Sequence, residues 1–167
     1  MVQTVAQQRR MVQARAGLGI MPDVGFLDTH ETLTYDVLIV PGGVVTDALR
    51  QTALLDWLRM MHATTRYTAS ICTGAFLLAQ AGVLRQTATT HWEDLADLRA
   101  AYPQLTVRDD VRWVQDGVNE RVYSSAGISA GIDLSLHLVA QLLGAEWADK
   151  TARQMDYLGD WQSNKEK

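Results

Sequence analysis

The chain has 167 residues, of which 47% are hydrophobic and 20% charged, a composition typical of a globular protein. This length predicts a single domain, placed at residues 1–160, and a polar tail at residues 161–167. Fifteen basic and nineteen acidic residues give a net charge of −4, which argues against direct nucleic-acid binding and against a membrane partner.

A single cysteine, Cys72, excludes an internal disulfide framework and a cysteine-built zinc site. It suits a reducing compartment, so we expect a cytoplasmic protein. No apolar run approaches the length of a membrane span, and no signal-peptide pattern opens the chain. Histidine and acidic residues do not cluster at metal-ligand spacing, so no metal and no cofactor are expected.

Strand and helix patterns alternate along the chain. Strands are predicted at residues 2–5, 11–16, 35–40, 67–71, 88–90, 106–107, 111–114 and 122–124, with a loop or short strand at 17–23. Helices are predicted at residues 52–63, 73–81, 93–101, 128–143 and 146–158. The continuous apolar run at residues 37–40 is typical of a parallel strand covered on both faces. Together these elements predict an α/β domain with a mostly parallel sheet.

Three glycine-containing loops directly follow predicted strands: Pro41-Gly42-Gly43, Cys72-Thr73-Gly74 and Ser125-Ala126-Gly127. In parallel sheets, ligands bind beyond the carboxyl ends of the strands. We therefore expect an active site where these three loops converge.

Cys72 lies where a strand turns directly into a helix. Unpaired N–H groups at a helix start favour the reactive thiolate, and Gly74 leaves room for a sharp elbow. The alternative is a buried, inert cysteine, since free cysteines are among the most buried residues. The N–H groups of Gly42 and Gly43 are candidate donors to an oxyanion, together with the Thr73 N–H. The alternative is that Pro41-Gly42-Gly43 is a turn without a catalytic role.

His91, at the end of a short predicted strand, is the natural base for a thiol nucleophile. A histidine hydrogen-bonded at a strand end or helix cap is the alternative, and Trp92 beside it is expected to wall a pocket. His30, His62 and His137 are weaker candidates. Ser129 is interpreted as lying near a helix N-cap, with Asp133 in the first turn.

Four segments together resemble the ThiJ/PfpI superfamily, within the class I glutamine amidotransferase-like fold. They are Asp36 to Gly43, Ser70 to Ala75, Ala88 to Trp92, and Ser125 to Asp133. The resemblance implies a three-layer, flavodoxin-like sandwich and a homodimer. The branch they most resemble contains isocyanide hydratases and the N-terminal domains of AraC-type transcription regulators.

The resemblance implies that Cys72 is the nucleophile and that His91 matches the histidine of the family's Thr-Thr-His segment. It further implies that Gly127 and Ile128 line the far side of the pocket. Thr73 stands where protease-like members have histidine, which counts against peptidase activity. The sequence departs from the pattern at its start, where the first βα unit and the acid that pairs with the cysteine are not found, so an N-terminally truncated fold is expected.

Two functions remain open. The first is an enzyme in which Cys72 attacks a small electrophile, most closely an isocyanide that is hydrated to an N-formamide. The second is a non-catalytic ligand-sensing domain, which the absent acid favours. Either function takes a small molecule as partner. An oxidation sensor at Cys72 is a third possibility.

Overall fold

The computed structural model describes residues 1–28, 33–117 and 120–164. Its strands are β1 (Val5–Ala6), β2 (Val12–Gln13), β3 (Gly19–Ile20), β4 (Val24–Gly25), β5 (Val37–Val40), β6 (Tyr67–Ile71), β7 (Thr87–Ala88), β8 (Thr106–Val107), β9 (Trp113–Gln115) and β10 (Val122–Ser125). Its α-helices are α1 (Thr52–Thr64), α2 (Gly74–Gln80), α3 (Leu95–Ala101), α4 (Ser129–Leu143) and α5 (Ala145–Gln154).

The central sheet has the strand order β5-β6-β10-β9. Strands β5, β6 and β10 are parallel, and β9 pairs antiparallel with β10 at one edge. Among the described residues, three two-stranded sheets accompany it: parallel β1-β4, the antiparallel hairpin β2-β3, and parallel β7-β8. The predicted α/β class with a mostly parallel sheet is confirmed.

Helices cover both faces of the central sheet, which gives the three-layer, flavodoxin-like arrangement. On one face, Leu38 and Val122 pack with residues of α1 and α2 such as Leu58 and Leu78. On the other face, residues of β6 and β10 pack against α4, and the buried members of that cluster are Ala69, Tyr123, Leu134 and Leu138. Helix α5 packs on the outer side of α4. Within the apolar run of β5, Leu38 and Val40 are buried in the first of these clusters, whereas the opposite face of the strand is only partly covered, contrary to the expectation of burial on both faces.

The far edge of β5 has no strand partner within the described residues. A largely apolar cavity of about 760 Å³ lies there, lined by residues 1–3, 5–7 and 34–41 together with parts of α1 and α2. Ile39, at this edge, is 47% exposed. The cavity thus lies alongside β5, the edge strand of the central sheet among the described residues.

Residues 161–164, at the start of the segment predicted as a polar tail, contact the rest of the domain. Trp161 is buried against Leu136 and Ala148, and its indole N–H donates to Asp149 at 3.2 Å. The Asn164 side-chain oxygen accepts from the backbone N–H of Trp113 at 3.0 Å, which ties this segment to β9. The boundary predicted at residue 160 rested on composition, whereas these contacts join distant parts of the chain. Residues 165–167 lie outside the described residues.

Asp116, directly after β9, anchors the segment that leads into β7. Its carboxylate is fully buried and accepts the backbone N–H groups of Arg85, Gln86 and Thr87 at 2.9 to 3.1 Å. The carboxylate thereby fixes the start of β7, which leads to Thr90 and His91.

Candidate active site

The three glycine-containing loops meet at the carboxyl-terminal ends of the central strands, as predicted. Val40 is in register with Ser70, and Ser125 is in register with Ile71, so β5, β6 and β10 end at the same level. The backbone N–H of Cys72 donates to the Ser125 carbonyl at 3.1 Å. This hydrogen bond places the Cys72 turn directly beside the loop that follows β10.

Cys72 lies in a sharp, strained turn between β6 and α2. Its φ is 56°, in the left-handed region that residues other than glycine seldom adopt. The thiol is free and partly buried. A Cβ atom built on Gly42 would lie 2.8 Å from the Cβ of Cys72, so only glycine allows this approach. A strained strand-to-helix turn of this kind typically presents a nucleophile.

Thr73 connects the cysteine turn to the glycine loop after β5. Its hydroxyl accepts the N–H of Gly43 and donates to the Gly43 carbonyl, both at 2.8 Å. The Gly43 N–H, predicted to face an oxyanion, is therefore directed at Thr73. The N–H groups of Gly42 and Thr73 remain the predicted donors, and Gly74 begins α2 as a buried residue.

His91 is held on one side of its ring and faces the glycine loop after β10 on the other. On the Nδ1 side, the Glu93 and Asp94 carboxylates lie at 3.4 and 3.8 Å, and the Glu93 N–H donates to Nδ1 at 3.4 Å. A Cβ built on Gly127 would lie 2.1 Å from Cδ2 and 3.0 Å from Nε2. The ring thus caps the short 3-10 helix after it, as the alternative interpretation proposed, and also borders Gly127; its role as a base stays a prediction.

Thr90 connects the His91 segment to the cysteine turn. Its hydroxyl donates to the Cys72 carbonyl at 2.9 Å, and Thr90 itself is almost fully buried. Sequence reasoning did not single out this residue, although it stands next to His91 in the Thr-Thr-His segment.

A surface depression of about 270 Å³ brings together four predicted site residues: His91, Trp92, Gly127 and Ile128. Trp92 is 70% exposed, and its ring centroid lies 5.7 Å from that of His91. Ile128 is 82% exposed and has a φ of 44°, a strained value for a β-branched residue. The other predicted residues surround the elbow rather than line this depression; they are Gly42, Gly43, Cys72, Thr73 and Gly74.

Arg112 also lines the depression, and sequence reasoning missed it. It ion-pairs through Nε with Asp133, whose side chain is 1% exposed. The Tyr157 hydroxyl donates to the same carboxylate at 2.6 Å. Burial, together with this hydrogen bond, raises the pKa of Tyr157, so its hydroxyl stays protonated.

Ser129 and Asp133 both contact Arg112. Ser129 is the first residue of α4, next to the N-cap residue Ile128 as predicted, and its hydroxyl accepts from Arg112. Asp133 lies beyond the first turn in which it was predicted, and its carboxylate pairs with Arg112. The sequence pattern did not indicate this partner because Arg112 lies far away in sequence.

No hydrogen bond links the Cys72 thiol to a carboxylate within residues 1–28, 33–117 and 120–164. The bonds of Cys72 there involve its backbone N–H and carbonyl. The same residues contain no group of three or more His, Cys, Asp or Glu suited to a metal ion. No described helix is long and apolar enough to cross a membrane. His30 lies outside the described residues.

Comparisons with known proteins match most of the chain. Residues 1–141 match the DJ-1/PfpI family. An isonitrile hydratase of Pseudomonas putida is 37% identical over 148 residues, which are 87% of this chain and 61% of that protein. The HTH-type transcriptional regulator GbdR of Pseudomonas aeruginosa is 30% identical over 144 residues, 86% of this chain and 37% of the regulator. The chain therefore spans less than two thirds of either relative.

Among solved structures, a THiJ/PfpI family protein from Pseudomonas syringae superposes with a TM-score of 0.82 at 28% identity, covering 96% of this chain and 64% of that one. Drosophila melanogaster DJ-1beta superposes with a TM-score of 0.75 at 22% identity, covering 93% of this chain and 83% of that one.

Proposed function

This chain belongs to the DJ-1/PfpI family, and on that premise we propose that it is a cysteine-nucleophile enzyme that hydrates an isocyanide to an N-formamide. The observation that carries the proposal is the strained Cys72 turn, with Gly42 packed against it and Thr73 fixing the adjoining loop. Similarity to an isonitrile hydratase over 87% of the chain supports this reaction over others. Thr73 after the cysteine argues against a peptidase.

The proposed reaction has two steps. The Cys72 thiol adds across the terminal isocyanide carbon: sulfur bonds to that carbon, and the thiol proton is transferred to it, which gives a thioimidate. Water then adds to the same carbon, the nitrogen gains a proton, and the carbon–sulfur bond breaks. The products are the N-formamide and the regenerated thiol, so one water is consumed for each isocyanide.

Each residue of the site has a place in these steps. The N–H groups of Gly42 and Thr73 are the proposed donors to the oxygen that becomes negative when water adds. His91 is the proposed proton carrier, because its Nε2 edge faces Gly127 and the depression while Glu93 and Asp94 hold the opposite edge. Trp92 and Ile128 form the proposed walls for the apolar part of the substrate.

The test is formation of N-phenylformamide from phenyl isocyanide, followed by chromatography. The wild type is expected to turn over, and Cys72→Ala is expected to lose turnover. Ser70→Ala is the matched control: Ser70 lies on β6, two residues before Cys72, and its buried hydroxyl has no hydrogen-bond partner among the described residues. Equal rates in the wild type and Cys72→Ala would refute the proposal.

The second candidate is a ligand-sensing domain related to AraC-type regulators. Similarity to GbdR over 86% of the chain and the lack of a carboxylate on the Cys72 thiol within the described residues favour it. The two functions differ in turnover: a sensor binds a small molecule in the depression without consuming it. Saturable binding of an isocyanide without formamide production, in both the wild type and Cys72→Ala, would identify the sensor.

The proposed assembly is a homodimer, and the β2-β3 hairpin is a proposed contact surface. Its apolar side chains are exposed: Met11 is 64%, Leu18 65% and Met21 57% exposed. Exposed apolar clusters of this kind are typical of protein interfaces. Light scattering is expected to show a dimer for the wild type. For Leu18→Ser, it is expected to show a shift toward monomer. A monomeric wild type would contradict the proposed homodimer.

A further inference from the structure

Arg112 is held in place by a buried acid at the rim of the depression. Asp133, on α4, accepts from Arg112 Nε and from the Tyr157 hydroxyl, and its side chain is 1% exposed. Arg112 Nη2 donates to the Ser129 hydroxyl at 3.1 Å. A buried carboxylate with two partners fixes the position of the guanidinium, so little side-chain entropy is lost when a ligand binds to it.

The guanidinium retains binding capacity toward the depression. It has five N–H donors, which is more than Asp133, Ser129 and the neighbouring Tyr157 hydroxyl use. The Arg112 side chain is 27% exposed, and both Arg112 and Ser129 line the depression. A planar guanidinium next to a hydroxyl matches the geometry of a carboxylate.

Charges elsewhere at the rim do not block an anion at this position. The Glu93 and Asp94 carboxylates lie on the Nδ1 side of His91, whereas its other edge faces Gly127. Arg112 is thus the cation that borders the depression among the described residues. At about 270 Å³ the depression is smaller than a typical drug-sized site, so a compact ligand fits it.

We infer that Arg112 and Ser129 form a carboxylate subsite and that the enzyme prefers small isocyanides bearing an anionic group. Arg112 is then a specificity-determining residue that binds the substrate at a distance from the reacting carbon. Trp92, which lines the same depression, is the proposed contact for the apolar body of the substrate. The inference rests on the proposed function for the reacting end of the substrate.

The test compares 4-isocyanobenzoate with its methyl ester, which has a similar shape but no charge. The wild type is expected to show a kcat/KM about tenfold or more higher for the carboxylate, as a charge-assisted hydrogen bond would give. Arg112→Met is expected to reduce this ratio to about one, and Ser129→Ala to lower it partly. Arg108→Met is the matched control: Arg108 pairs with Asp110 at 2.7 Å on the surface, so this variant keeps the wild-type ratio.

Arg112→Lys is a second variant for the case that Arg112→Met does not fold, because it keeps a cation opposite Asp133 but lacks the planar guanidinium. Its ratio of kcat/KM for the carboxylate to that for the ester is expected to fall. A wild-type ratio near one, or an unchanged ratio in folded Arg112→Met or Arg112→Lys, would overturn the inference. If neither probe turns over, binding of benzoate and benzamide to Cys72→Ala is compared by calorimetry. An Arg112-dependent preference for benzoate then supports the subsite although the hydratase proposal fails, and no preference overturns the subsite.

Discussion

The Thr73 hydroxyl is a sensitive point of the site because it joins the cysteine turn to the glycine loop. Thr73→Val keeps the side-chain shape but removes both hydrogen bonds to Gly43, each 2.8 Å long. A hydrogen bond contributes about 0.5–1.5 kcal/mol net, so two of them in a partly exposed position contribute about 1–2 kcal/mol together. We expect the free energy of unfolding to fall by that amount.

The same substitution is expected to lower activity more than stability. Without the hydroxyl, the Gly42-Gly43 loop is no longer fixed relative to Cys72, and misplacement by about 1 Å can cost up to about a hundredfold in rate. We expect kcat/KM for phenyl isocyanide to fall at least about tenfold, with Thr73→Ser close to wild type. Urea unfolding and steady-state rates measure both effects. A Thr73→Val variant as stable and as active as the wild type would refute the reasoning.

The remaining predictions concern stability. Asp116→Ala is expected to lower the free energy of unfolding in urea by roughly 3 kcal/mol, because three backbone N–H groups lose their acceptor. A loss below about 1 kcal/mol would contradict the role of Asp116 in anchoring the start of β7. Asp133→Asn is expected to lower the free energy of unfolding by about 2–3 kcal/mol, because it breaks a largely buried ion pair. Asp110→Asn breaks an exposed ion pair and is expected to lower it by less than about 1 kcal/mol. Equal losses in the two variants would count against a stabilising role of the buried pair. Burial lowers the pKa of His62 and His137 below 6.5, so the unfolded state binds protons first and thermal stability should decrease as the pH falls from about 7 toward 5. His137→Phe should flatten that decrease, and melting temperatures independent of pH in this range would contradict it.

The sequence predicted the central elements well because their signals are local. The apolar run of β5 and the strand-to-helix turn at Cys72 lie within a few residues of the predicted positions. The prediction of α4 at residues 128–143 differs from Ser129–Leu143 by one residue, since its apolar face repeats at helical spacing. These elements fix which loops meet at the site.

Contacts between distant segments escaped prediction. Arg112 follows a predicted strand start and carries no motif, yet it pairs with Asp133, 21 residues later. Thr73 was predicted to offer its N–H, but its hydroxyl pairs with Gly43, 30 residues earlier. Trp161 stands in a polar segment and is buried by the α4–α5 pair. In each case the partner is brought near by the fold, which local pattern and composition do not encode.

The central claim is that Cys72 forms a covalent bond with the isocyanide carbon during turnover. Acid quenching of the enzyme with excess phenyl isocyanide, followed by intact-mass and peptide analysis, measures this bond directly. The expected result is an adduct equal in mass to one isocyanide on the peptide that contains Cys72, absent from Cys72→Ala. Formamide production with no adduct on that peptide at any quench time, at an equal rate in Cys72→Ala, would contradict the claim.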